Sequence, residues 1–115
     1  MKRGDVLLAR FPHPSGGRGK KRPVVVVQAD IYLQTLRTVV VAEITKNLLM
    51  ANDPACLFID ATTAEGQATG VTQDSVISCV TLATLKAELM DQVIGTLSST
   101  MMQKLDACLK TAMGI

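Results

Sequence analysis

Four consecutive valines, Val24-Val25-Val26-Val27, follow Pro23 directly. β-branched side chains lose rotamer freedom in a helix and pack well on a pleated surface, so this run is a strand. It is apolar at every position, so both of its faces are covered and it lies inside a sheet, with Pro23 to Gln28 as its expected span. Shorter runs supply its neighbours. From Val6 to Phe11 the chain alternates, with Leu7, Ala9 and Phe11 on one face and Val6, Leu8 and Arg10 on the other. That is a half-buried strand, ended by Pro12-His13-Pro14 because proline removes a ladder donor and fixes φ. Thr38 to Thr45, Cys56 to Ile59, Ser75 to Leu82 and Gln92 to Leu97 read as further strands. Asp30 to Leu36 reads as a connection, Asn47 to Pro54 as a loop, and Ala61 to Thr72, without a clear period, as a second surface loop.

The tail changes period. Met102, Leu105, Leu109, Ala112 and Met113 recur at three- and four-residue steps, with Gln103, Lys104, Asp106 and Lys110 on the other side. Ser98 can cap the start and Gly114 the end, giving one amphipathic helix of about four turns. Short strands with one helix predict a mostly β, α+β fold, a small bent antiparallel sheet or barrel with a helix packed on it. At 115 residues the chain, 1–115, is read as one domain.

Composition narrows the function. The chain is 48% hydrophobic, yet Phe11, Phe58 and Tyr32 are its only aromatics. The core is therefore aliphatic, and the stacking platforms of many single-strand binders are missing. No apolar run approaches the ~18 residues of a membrane span, and Val6-Leu7-Leu8-Ala9 is too short for a signal-peptide core. Cys56, Cys79 and Cys108 are odd in number, widely spaced and set in apolar runs, which reads as reduced core thiols in a cytoplasmic protein. Without a CxxC pair and with His13 as the single histidine, no metal or cofactor is expected.

Charge is distributed unevenly. Residues 1–22 hold seven cations against Asp5, a net of +6, and residues 23–115 hold five against nine acids, a net of −4. Four of the seven sit in the glycine-rich stretch Ser15-Gly16-Gly17-Arg18-Gly19-Lys20-Lys21-Arg22. A cationic loop attached to a rigid strand suits a polyanion, above all a phosphate backbone. It is not a nucleotide P-loop, because no Gly-Lys-Ser/Thr leads into a helix.

Five segments in order resemble the MazF/PemK-type toxins of bacterial toxin–antitoxin pairs. These are Arg3-Gly4-Asp5-Val6, the glycine-rich loop ending in Arg22-Pro23-Val24-Val25-Val26-Val27-Gln28, Val41-Ala42-Glu43-Ile44-Thr45, Asp74-Ser75-Val76-Ile77, and Ile94-Gly95-Thr96-Leu97-Ser98 with Met101-Met102. The resemblance implies an SH3-like plasmid-maintenance-toxin barrel, a homodimer, a cognate antitoxin partner and a metal-independent endoribonuclease acting on single-stranded RNA. Arg22 and Thr45 match the family's catalytic arginine and threonine. The segment Ser78 to Thr84 departs from the pattern: Val80 and Ala83 fill positions that are often acidic or arginine, and Ser78, Thr81 and Thr84 remain as polar RNA contacts. Two alternatives therefore stay open, a non-catalytic RNA- or antitoxin-binding module and a gyrase poison on the same barrel.

The chemistry of these residues is consistent with that role. A guanidinium fork meets two phosphate oxygens at once, so Arg22 is suited first to stabilising charge on phosphorus; arginine's high reference pKa makes it a poor base, and an acid/base role for it is what the resemblance alone implies. Thr45 can donate its hydroxyl to a non-bridging oxygen or orient the 2′-OH. Arg18, Lys20 and Lys21 are expected to hold backbone phosphate, and His13 is the candidate proton shuttle. The competing reading of Arg22 is a structural ion pair with Asp30 or Glu43.

Overall fold

A computed structural model describes residues 1–12 and 19–115, which leaves His13 and Arg18 outside the described residues. The elements are β1 (Asp5–Arg10), β2 (Lys21–Val26), α1 (Asp30–Thr35), β3 (Thr38–Thr45), β4 (Cys56–Ile59), α2 (Ala64–Ala68), β5 (Ser75–Lys86), a 3-10 turn (Ala87–Leu89), β6 (Val93–Thr96) and α3 (Ser99–Met113). The six strands form one antiparallel sheet in the order β4-β5-β3-β2-β1-β6.

The valine run lies where its composition requires. Val24, Val25 and Val26 are all 0% exposed. Val25 joins Val6, Ala42, Ile44 and Ile77 under α3, where Met101, Leu105 and Cys108 meet them. Val24 and Val26 face the opposite way, into a second cluster with Leu7, Ala9, Val39 and Val41. One strand thus feeds two cores. The sheet curls through β5: Ala42 pairs with Leu82 but Glu43 with Ser78, so Cys79, Val80 and Thr81 are extra on that strand. A bulge of this kind bends its strand and increases local twist.

The helix at the tail begins as expected: the Ser98 hydroxyl accepts from the Met101 N–H at 3.1 Å. It ends at Gly114, φ +73°, in the left-handed region that glycine adopts without penalty. Arg3 ties this helix to the sheet by an ion pair with Asp106 at 2.8 Å and a bond from Nε to the Val27 carbonyl at 2.9 Å.

Several boundaries differ from those read in the sequence. β2 starts at Lys21, before Pro23, so Arg22 is a strand residue, and it stops at Val26. Gln28 carries the pairing on with its side chain, donating to the Thr38 carbonyl and accepting from the Val40 N–H, each at 3.0 Å. The connection after Asp30 is the short helix α1, and part of the loop after Ala61 is α2. Helices of 6 and 5 residues are too short to display a period. α2 is nucleated locally, the Thr63 hydroxyl accepting from the Gly66 N–H at 3.0 Å. β5 runs on to Lys86 because β3 continues to pair with it as far as Thr38. Among the described residues no helix is long and apolar enough to cross a membrane.

Candidate active site

The glycine-rich loop leaves and rejoins the sheet between β1 and β2. Its base is closed by the Phe11 N–H donating to the Lys20 carbonyl at 3.4 Å. A Cβ on Gly19 would lie 1.4 Å from the Phe11 carbonyl oxygen, so only glycine permits this approach. The ladder between β2 and β3 runs from Val26↔Val41 to Val24↔Glu43 and ends beside Pro23, which has no N–H to give. Beyond it a groove of about 660 Å³ opens.

Arg22 and Thr45, 23 residues apart in sequence, both line this groove, together with Lys20, Lys21, Glu43 and Lys46. Thr45 is held by a turn: its Oγ1 accepts from the Asn47 N–H at 3.1 Å, and Asn47 Oδ1 accepts from the Leu49 N–H at 3.0 Å. Because the Thr45 oxygen accepts in that turn, its own hydrogen is left to be donated. The far wall is the segment Gly70 to Gln73. It rests on β6 backbone to backbone: a Cβ on Gly95 would stand 2.2 Å from the Thr69 carbonyl carbon, and Gly70 takes φ +85°.

The cations of the groove are not equivalent. Lys21 is ion-paired with Asp91, whose own N–H donates to the Leu8 carbonyl at 3.1 Å. Lys20 and Lys46 are exposed and Arg22 is half-buried, and among the described residues none of the three has a carboxylate within ion-pair distance. The structural alternative for Arg22 thus fails on both counts: it pairs with neither Asp30 nor Glu43. Asp30 instead accepts from the Arg3 N–H at 2.7 Å.

A family model described as "PemK-like, MazF-like toxin of type II toxin-antitoxin system" matches residues 2–113. The chain belongs to this family. Endoribonuclease MazF6 of Mycobacterium tuberculosis is 34% identical over 118 residues, covering 100% of this chain and 98% of that protein. Endoribonuclease EndoA of Bacillus subtilis is 33% identical over 116 residues, covering 100% and 96%. Among solved structures, a mycobacterial endoribonuclease in complex with its cognate antitoxin superposes with a TM-score of 0.79 at 16% identity, covering 100% of this chain and 96% of that one. The M. tuberculosis toxin MazF-mt6 gives 0.78 at 22% identity, covering 96% and 97%. The fold of this PemK/MazF-family chain, a curled six-stranded antiparallel sheet with a C-terminal helix, is theirs.

Other positions read from the sequence fall elsewhere. Ser78 is 8% exposed, and its hydroxyl lies 2.9 Å from that of Thr81 inside the β5 bulge. Neither of these, nor the exposed Thr84, lines the groove. Val80 is exposed at the crest of the bulge, whereas Ala83 packs against the second core. The three cysteines are free and buried. Burial pushes the Cys79 thiol up to about 12, with the nearby Cys108 and Cys56 adding to it, and Cys108 is raised for the same first reason. Among the described residues no three His, Cys, Asp or Glu side chains gather as a metal site requires.

Lys46, Asn47, Gln73 and Glu43 also line the groove and were not read as site residues from the sequence. Lys46 and Asn47 could have been found, since they directly follow the matched threonine. Gln73 carries no signal at all until the Gly70 to Gln73 wall is in place.

Proposed function

We propose that this PemK/MazF-family chain is, over its whole length as one toxin domain, a ribosome-independent endoribonuclease of single-stranded RNA. The observation that carries the reading is the joint placement of Arg22 and Thr45 on one cationic groove, in a chain that aligns end to end with named endoribonucleases. The 2′-oxygen attacks the adjacent phosphorus, the bond to the 5′-oxygen breaks, and the upstream fragment keeps a 2′,3′-cyclic phosphate. Arg22 holds the non-bridging oxygens as charge builds on them, and Thr45 adds a hydroxyl donor. Loss of one such donor costs roughly 2.7–4 kcal/mol of transition-state stabilisation in measured enzymes. Lys20, Lys46 and Arg18 attract the backbone, Thr81 and Thr84 are polar contacts for RNA, with the buried Ser78 holding Thr81, the protein acts as a homodimer, and His13 is a candidate proton shuttle. A cognate antitoxin occupies the same groove in the cytoplasm, and no metal takes part.

The test is mapped cleavage of an RNA pool with and without EDTA. Cleavage with EDTA present, a cyclic phosphate upstream, and protection by a 2′-deoxy substitution at the cut site are the expected results. R22A should lower the rate by about 10²–10³ while the fold is retained. Near wild-type cutting by R22A refutes the assignment of Arg22. Binding without cutting selects the non-catalytic module, and inhibited supercoiling with intact RNA selects the gyrase poison.

A further inference from the structure

We propose that Glu43 is the general base that takes the proton from the attacking 2′-hydroxyl. The inference rests on the ribonuclease reading above and places the base among the described residues of the groove. Arginine and lysine side chains carry donors and no acceptor, which sets aside Arg22, Lys20, Lys21 and Lys46, and a threonine hydroxyl such as that of Thr45 is no base at neutral pH. Glu43 is the one carboxylate that lines the groove among the described residues.

Its place on the sheet fits the task. Glu43 sits opposite Val24 of β2 and Ser78 of β5. Side chains two apart on a strand share a face, so Glu43 lies on the side of Thr45 and, across the ladder, on that of Arg22. Diagonal neighbours on paired strands are about 7–8 Å apart, within reach of long side chains gripping one phosphodiester.

Stability does not explain an acid there. Its neighbours on that face, Val24 and Val41, are 0% exposed, and half-burying a carboxylate is unfavourable unless it is paired. Asp5, which is buried, receives the Lys2 N–H at 2.9 Å. Glu43 receives no hydrogen bond or ion pair from any described residue. The charged groups around it are Lys20, Lys21 and Arg22 from the β2 side and Lys46 from the end of β3. β5 presents only the neutral Ser78 opposite it.

The step balances without a co-reactant. The 2′-O–H proton passes to a Glu43 carboxylate oxygen as the 2′-O–P bond forms. The P–O5′ bond breaks, the 5′-oxygen takes a proton from solvent water, and Glu43 returns its proton to solvent.

The experiment is single-turnover cleavage of an RNA mapped with wild-type protein, from pH 5 to 9, by E43Q, E43D and H13A. Affinity for the same RNA carrying a 2′-deoxy cut site, and thermal melting, are measured alongside. E43Q should lose about 10²–10⁴ in rate, while melting and deoxy-RNA affinity hold or improve. E43D, which keeps a carboxylate, should recover part of the rate. Cutting by E43Q within tenfold of wild type overturns the base assignment. So does an acid limb that survives in E43Q and vanishes in H13A, which moves the base to histidine. Equal loss of melting temperature and cleavage in E43Q and E43D reduces Glu43 to a structural residue and overturns it too. Wild-type protein that cuts no RNA overturns the ribonuclease reading itself, a result distinct from cutting with E43Q unimpaired.

Discussion

The ion pair between Lys21 and Asp91 makes a quantitative statement about RNA binding. Four cations line the groove, Lys20, Lys21, Arg22 and Lys46, and Lys21 is already neutralised by Asp91. Each cation that displaces a counterion from single-stranded nucleic acid contributes about −0.7 to the slope of log K against log salt, so Lys20, Arg22 and Lys46 together contribute about −2.1. Tripling the salt should then cost about tenfold in affinity through these three residues. K46A should flatten the wild-type slope by about 0.7, and K20A/K46A by about 1.4. K21A should leave the slope unchanged, because it removes a charge that displaces no counterion. D91N frees that charge and should steepen the slope by about 0.7. The assay is fluorescence anisotropy with a labelled RNA carrying a 2′-deoxy cut site, from low to moderate salt. Differences between variants are compared, so that Arg18 contributes equally to each. A K21A slope that flattens as much as that of K46A, or a D91N slope that does not move, refutes the reasoning.

The core and the groove wall make three further predictions. Leu105 is 0% exposed in the cluster beneath α3, so L105A should cost about 2.7–5 kcal/mol in urea unfolding; a loss under 1 kcal/mol would mean α3 is not docked as described. G95A places a Cβ against the Thr69 backbone and should cost about 1–3 kcal/mol while reducing cleavage, read by melting and by rate. Cys79, pushed up to about 12, keeps its proton in the folded state after the unfolded thiol, near 9.0, has lost it. This thiol's contribution to stability should therefore be level below about pH 9 and fall above it by at most about 1.4 kcal/mol per pH unit, and C79A should remove that part of the decline in urea titrations.

What the sequence disclosed depended on how local each cause was. The valine run, Thr38 to Thr45 and the Ser98 and Gly114 caps were readable because rotamer stiffness and cap chemistry act within a few residues. α1 and α2 were not, since each is under two turns and Thr63 caps a stretch that otherwise looks like loop. The extra length of β5 depends on pairing with β3 beyond the bulge, a fact of register that Ser78 to Thr84 do not carry. The cationic loop was plain from charge counting, but the engagement of Lys21 by Asp91 joins residues 70 apart. Glu43 read only as a partner for Arg22, because its place on the groove follows from where Pro23 ends the ladder.

The pairing of the first strand with the last has a consequence for timing during synthesis. β1 is completed by β6, with the Leu97 N–H donating to the Gly4 carbonyl at 2.9 Å and the Thr96 hydroxyl reaching the same oxygen across 92 positions of sequence. α3 adds Arg3 to Asp106. Contacts this distant in sequence slow folding, because the chain must close a long loop before gaining them. On the ribosome, β1 and β2 therefore emerge well before the segments that cover them. The groove that holds Arg22 and Thr45 also takes Ile94 of β6 into its lining, so it is complete only once that last strand has been made, and the emerging chain spends an interval without its finished site.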